Sequence, residues 1–175
     1  MKKRTEKEFE AEMREIRERL VPIVTASLTI GDYKLGNTIM DCPEVLKLFL
    51  ENDPTCLLMY ETMTPLDPSY GLSIGAFDVY PPERLAAHYS NPHYGSDLVR
   101  SELFVVGIGS DGTSYVLNCD NREFYQLTQS WGNDGERDWR HAILNQWKDT
   151  NEFCDYCEQR HSEFMEYNLK NAPPN

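Results

Sequence analysis

Cys154-Asp155-Tyr156-Cys157, with His161 four residues on, is the stretch of this chain that most resembles reactive chemistry. Paired cysteines and a histidine are the usual donors of a zinc site, and the C-x-x-C spacing is that of a redox pair. In a helix, at ~100° per residue, Cys154, Cys157 and His161 fall on one face. Phe153, Phe164 and Met165 share that face, while Asp155, Glu158, Gln159, Glu163 and Glu166 lie opposite. Cys154 and His161 then stand ~10 Å apart along the axis, too far to share a zinc that binds its ligands at ~2 Å. A thioredoxin-like pair needs its first cysteine at a strand-to-helix junction, and both of these fall inside the helical pattern. The arc reads as core packing, and neither a metal nor a cofactor is expected.

Gly107-x-Gly109-x-x-Gly112 has the form of a dinucleotide fingerprint. That fingerprint works only when a helix follows and its N-terminus receives the pyrophosphate. Here Ser114–Asn118 has strand character, so Gly109, Asp111 and Gly112 read as a structural turn between strands. His88 and His93, near Asp97 and Cys119, lack ligand spacing with any second motif, and Asn91-Pro92 is turn chemistry. Surface or loop histidines are the better reading.

The elements around these residues give a firmer picture. Leu103–Ile108, Ser114–Asn118 and Glu123–Leu127 read as three strands, separated by Asp111-Gly112 and by Cys119-Asp120-Asn121. The first is apolar on both alternating faces, as a strand covered on both sides must be, and belongs in the middle of an antiparallel meander. Upstream, Phe9, Met13, Ile16 and Leu20 form a narrow apolar stripe on a charged helix over Thr5–Leu20. Such a stripe fits either an edge helix or an oligomer contact. Pro22 is expected to end that helix, and the β-branched Val21–Ile30 is compatible with a strand. Pro43 opens a second helix with Val45, Leu48 and Phe49 as its buried face, and Asn52-Asp53-Pro54 stops it. Cys56–Tyr60 then reads as a short buried strand, and Leu72–Val79 as another with Gly75 at a bulge or close approach. Pro81-Pro82 starts a further helix ending near Tyr89, followed by a turn over 90–95. Trp139–Trp147 fits helix or strand. Asp149 and Glu152 resemble a capping box ahead of a last helix over Phe153–Leu169.

Composition bounds the function. A chain of 175 residues with 40% hydrophobic and 26% charged residues has the make-up of a soluble globular domain. It shows no apolar run of membrane-spanning length, and MKKRTEKEFE lacks the apolar core of a signal peptide, so a cytoplasmic location is expected. An odd number of cysteines, five, agrees with free thiols in a reducing compartment. Seventeen basic against twenty-nine acidic residues leave a net charge of −12, a field that repels phosphate backbones and anionic membranes. The excess serves solubility, or it speeds encounter with a basic protein.

The helix Pro43-Glu44-x-x-Lys47-x-Phe49-Leu50-x-Asn52-Asp53 resembles the Pro-x-x-x-(Lys/Arg)-x-Phe-Leu-x-x-Asn-Gly helix of the SUKH superfamily, with Asp53 where the family usually has glycine. That superfamily takes in immunity proteins of bacterial polymorphic toxin systems, the Syd protein and a yeast cell-wall synthesis regulator. Phe77–Leu85, the Val106–Gly112 turn, the meander and the Asn151-Glu152-Phe153 helix are similar to the family's motifs in the family's order, although Thr113-Ser114 replaces further glycines. The resemblance implies an α+β domain, a mostly antiparallel sheet with a central meander flanked by helices, that binds a protein and lacks catalytic residues. On this reading residues 1–30 are a charged helix and connector, 31–170 one domain, and 171–175 a disordered tail.

The loop Trp131–Trp139 supplies the expected partner-binding residues. Trp131, Asp134, Glu136, Asp138 and Trp139 place large aromatics among carboxylates, and protein interfaces favour such rings of polar groups around tryptophan. Either tryptophan could instead fold back as core. The expected function is that of an immunity protein occluding a basic toxin domain, with no nucleic-acid or membrane partner. A small enzyme using Cys157 and His161 or the Asp111 turn, and a regulatory scaffold, are the alternatives.

Overall fold

The computed structural model describes residues 4–31, 42–65, 71–128 and 138–171. Its centre is one six-stranded antiparallel sheet whose strands lie side by side in chain order. They are β1 (Leu72–Ser73), β2 (Asp78–Val79), β3 (Leu103–Ile108), β4 (Ser114–Asn118), β5 (Phe124–Leu127) and β6 (Ile143–Trp147). The helices are α1 (Glu6–Glu15), α2 (Val21–Gly31), α3 (Glu44–Leu50), α4 (Pro54–Met63), α5 (Pro82–Tyr89), α6 (Gly95–Arg100) and α7 (Thr150–Asn171). The fold is α+β, and β3 is an interior strand, paired with β2 on one side and β4 on the other.

The meander follows from the sequence pattern. Every residue of β3 and β4 is buried. Phe104, Leu117 and Phe124 stand in register across three strands. They share a face that Phe49 of α3 and Phe153 of α7 cover, with Phe124 stacked on Phe153 at 4.1 Å. Val116 and Tyr125, the adjacent pair in the register, point to the other face. In the β3–β4 turn Gly112 takes φ +82°, a conformation costly for any residue with a Cβ. Asp111 Oδ1 accepts from the Thr113 amide at 3.0 Å and from its hydroxyl at 2.7 Å, so the turn is locked by its own side chain.

Several elements differ from expectation. Thr5 and Glu8 form a capping box for α1, but Pro22 does not end the helix. The chain passes through a π-helical turn at Ile16–Leu20, in which the Val21 amide reaches the Ile16 carbonyl, and continues as α2. The wider turn places the proline where no α-type donor is required. Val21–Ile30 is therefore helix and not strand; its buried residues Ile23, Val24 and Ser27 have helical spacing. Those residues join Ile16 and Leu20 in the same core as the sheet.

Cys56–Tyr60 is likewise helix. Asn52-Asp53-Pro54 ends α3 and also starts α4: Asp53 Oδ1 accepts from the Thr55 and Cys56 amides at 2.8 and 3.3 Å, and Pro54 occupies the first turn. The buried face of α3 is Leu46, Phe49 and Leu50, whereas Leu48 is 55% exposed. An unbroken apolar run does not say which of its residues turn inward. Leu72–Val79 is a hairpin of two short strands, with Gly75 at φ +88° where a Cβ would stand 2.7 Å from the Arg160 carbonyl of α7. Trp139–Trp147 divides into a 3₁₀ turn, Trp139–Ala142, and β6.

Candidate functional site

The β4–β5 turn carries the most polar constellation among the described residues. Asn118 Oδ1 accepts from the Asp120 and Asn121 amides at 2.8 and 3.2 Å. The chain then reverses at Arg122, which adopts φ +69° and aims its guanidinium inward. Arg122 is 9% exposed and its partner Asp53 2%. Nη1 of Arg122 binds Asp53 Oδ2, while Nε and Nη2 grip both oxygens of Glu12 at 3.2 and 3.0 Å. Arg4 completes the group, bonding Glu12, Thr55 Oγ1 at 2.6 Å and Asp53 Oδ1 at 3.3 Å. Burial works against the charge of Arg122, but the Glu12 hydrogen bonds and Asp53 outweigh it and push its pKa up. The network ties α1, the start of α4 and the β4–β5 turn together as a charge-balanced unit.

Beside it opens a cleft of about 370 Å³, lined by Arg4, Glu12, Glu15, Arg122, Lys148 and Thr150 among others. A second ion-pair group borders α1 and α7. Arg19 bonds Glu158 through Nε at 2.7 Å, Asn151 Oδ1 at 2.7 Å and Glu15 at 3.2 Å. The Arg19 hydrogen bonds hold Glu158 below the usual carboxylate range.

Beneath the Asp53 cap, the sulfurs of Cys56 and Cys119 lie 3.5 Å apart. Asp53, Cys56 and Cys119 place one donor atom each within 4.8 Å of the others. These donors are poorly suited to a cation. Asp53 already binds two guanidinium groups and two amides. Burial, and then the Cys119 hydrogen bond, push the Cys56 thiol far from ionisation.

The residues singled out from sequence are distributed differently. Cys154 and Cys157 are fully buried core residues on α7, as the arc requires. Burial raises the Cys154 thiol to about 12, and raises that of Cys157 as well. Gly107-x-Gly109-x-x-Gly112 runs from strand to strand. His88 is half-buried against the Tyr94 hydroxyl at 3.2 Å; burial, and secondarily Arg84, lower its pKa. Asp97 is buried and pairs with Arg100.

Of the loop residues, Trp131, Asp134 and Glu136 lie outside the described residues. Asp138 is exposed and caps the 3₁₀ turn, its Oδ1 accepting from the Arg140 amide at 3.1 Å and pairing with the Arg140 guanidinium at 3.2 Å. Those contacts lower its pKa, the amide foremost. Trp139 is 5% exposed and packs edge-on against Tyr125 with ring centroids 4.9 Å apart, so it is a core residue and not a surface anchor. The backbone it holds lines an open depression of about 550 Å³ with Arg100, Glu102, Asp120, Asp138 and Arg140.

Sequence reasoning missed Glu12, Asp53 and Arg122 as a unit, because 110 residues separate Glu12 from Arg122 and no spacing signals the encounter. The N-cap signature of Asp53 before Pro54 was the one local clue. No family model, curated protein or solved structure matches this chain.

Proposed function

We propose that this chain is a non-catalytic protein-binding domain, an immunity protein that neutralises a cognate toxin by covering its basic active-site cleft. The observation that carries the reading is the depression at the described end of the β5–β6 connection. Glu102, Asp120 and Asp138 are exposed around it, on a chain of net charge −12. Its base is held in place by Trp139 in the core and by Glu102, which turns the chain at φ +53°. Arg140 is matched by Asp138 and Arg100 by Asp97, which leaves the carboxylate of Glu102 in excess at the rim. A preformed acidic rim suits basic side chains, and the net charge accelerates their approach. The resemblance to SUKH immunity proteins points the same way. Asp134 and Glu136, a few residues upstream in the chain, extend the acidic run, and Trp131 is the proposed anchor.

The test is coexpression with basic toxin domains encoded beside this gene, followed by stopped-flow association with whichever domain is neutralised. Changing Asp134, Glu136 and Asp138 to Asn or Gln, alone and together with Glu102 and Asp120, is expected to slow association most at low ionic strength. Trp131→Ala is expected to raise dissociation at every salt concentration, by ~2 kcal/mol or more for a hot spot. Unchanged rates and an unchanged salt slope would remove this surface from the mechanism. A chain that protects against none of these domains would overturn the immunity reading itself.

A further inference from the structure

The outward face of α1 and of the π-helical turn that continues it is built differently from the inward face. Facing the domain, Arg4, Glu12, Glu15 and Arg19 all bind partners on other elements or on one another. Facing away, Phe9 and Met13 line an open groove of about 540 Å³ with Glu10, Arg14, Arg17 and Glu18. Phe9 and Met13 are outside the core cluster. Arg4 stacks over the Phe9 ring at 5.3 Å, and the groove around Met13 stays open. Among the described residues the side chains of Glu10, Arg14, Arg17 and Glu18 form no ion pair, although Glu10–Arg14 and Arg14–Glu18 have the four-residue spacing that often closes one.

We infer that this face of α1 is a self-association surface, on which a second copy of the chain docks its own α1 antiparallel about a two-fold axis between Met13 and Arg14. Measured along the helix axis, Glu10 of α1 and Arg17 of the π-helical turn that follows lie ~5 Å to either side of that axis. The two-fold therefore sets each Glu10 level with Arg17 of the second copy and lays Met13 along the stem of the opposing Arg14. Phe9 reaches the neighbouring turn. A parallel arrangement would oppose Glu10 to Glu10 and Arg14 to Arg14, so the charge order selects the antiparallel one. It also selects the occupant. Two chains of −12 repel each other almost everywhere, but the groove is lined by two acids and two bases and is locally neutral. A basic partner gains nothing from Arg14 and Arg17, which separates this face from the acidic rim. Two turns of helix per copy fall at the small end of specific interfaces, below ~1,200 Å². The dimer is therefore reversible and grows with concentration.

Sedimentation velocity of the full chain over a hundredfold or wider concentration range tests the inference. The native chain is expected to pass from monomer to dimer, and Met13→Glu to remain monomeric over the same range. Glu10→Arg and Arg17→Glu, each alone, are expected to weaken dimerisation at least tenfold, and the combined variant to restore it, because the reversed charges again face opposite signs. All three positions lie off the core, and circular dichroism of each variant confirms an unchanged helix content. A native chain that stays monomeric throughout overturns the inference. So does a combined variant no better than its parents, or a Met13→Glu protein that dimerises like the native one. Loss of a foreign partner in Met13→Glu, with the free chain monomeric, would assign the groove to that partner instead.

Discussion

Removing Arg122 tests whether the buried ion-pair group holds the fold or merely decorates it. Arg122→Met keeps the aliphatic stem but leaves Asp53 with only Arg4 and two amides, and Glu12 with Arg4 and Thr55. Breaking one side of a buried pair costs ~3–5 kcal/mol. Because Arg4 remains, the lower end, about 3 kcal/mol, is expected here. Asp53 separates two contributions. Asp53→Asn keeps an N-cap acceptor for the Thr55 and Cys56 amides while losing the charge, whereas Asp53→Ala loses both and should cost ~1 kcal/mol more. Combining Arg122→Met with Asp53→Asn should cost clearly less than the sum of the two, since neither then leaves an unmatched buried charge. Urea denaturation followed by circular dichroism reads these differences. For a chain of this size each kcal/mol also moves the melting temperature by ~2–4 °C. An Arg122→Met cost below ~1 kcal/mol, or strict additivity in the double variant, would refute the view that these residues act as one unit.

Gly75→Ala should destabilise more than Gly112→Ala. Both glycines have positive φ, at ~1–2 kcal/mol for a residue with a Cβ, but only Gly75 also meets the backbone of α7; paired thermal melts give the order. All five cysteines are buried and free, so a thiol reagent at pH 8 should label the native chain slowly and five thiols at once in denaturant. Glu158 has a depressed folded pKa, so its contribution is present above the ordinary glutamate range and fades as pH falls through the lower folded value. Acid titration of stability should therefore be shallower in Glu158→Gln than in the native chain, and an identical slope would show that the Arg19 contact contributes nothing.

What the sequence alone determined is what local pattern determines. The β3–β4–β5 meander was legible because alternation, two turn signals and a doubly apolar first strand agree with one another. The same holds for α1, α5 and α7, where capping residues, first-turn prolines and helical periodicity coincide. The arc of Cys154 and Cys157 announced core packing by angle alone. Elsewhere a local signal had two meanings. Asn52-Asp53-Pro54 ends one helix and begins another, and Pro22 stops a helix unless a wider turn precedes it. Only the tertiary structure could decide between them, since the deciding energy is the burial of Ile23 and Val24, or of Cys56 and Met59, against elements distant in sequence. Trp139 became core because Tyr125 stands where its ring arrives, a meeting that no spacing encodes. The ion-pair group was equally out of reach: Arg4, Glu12, Asp53 and Arg122 are unremarkable charges until folding removes them from water and each becomes the condition for burying the others.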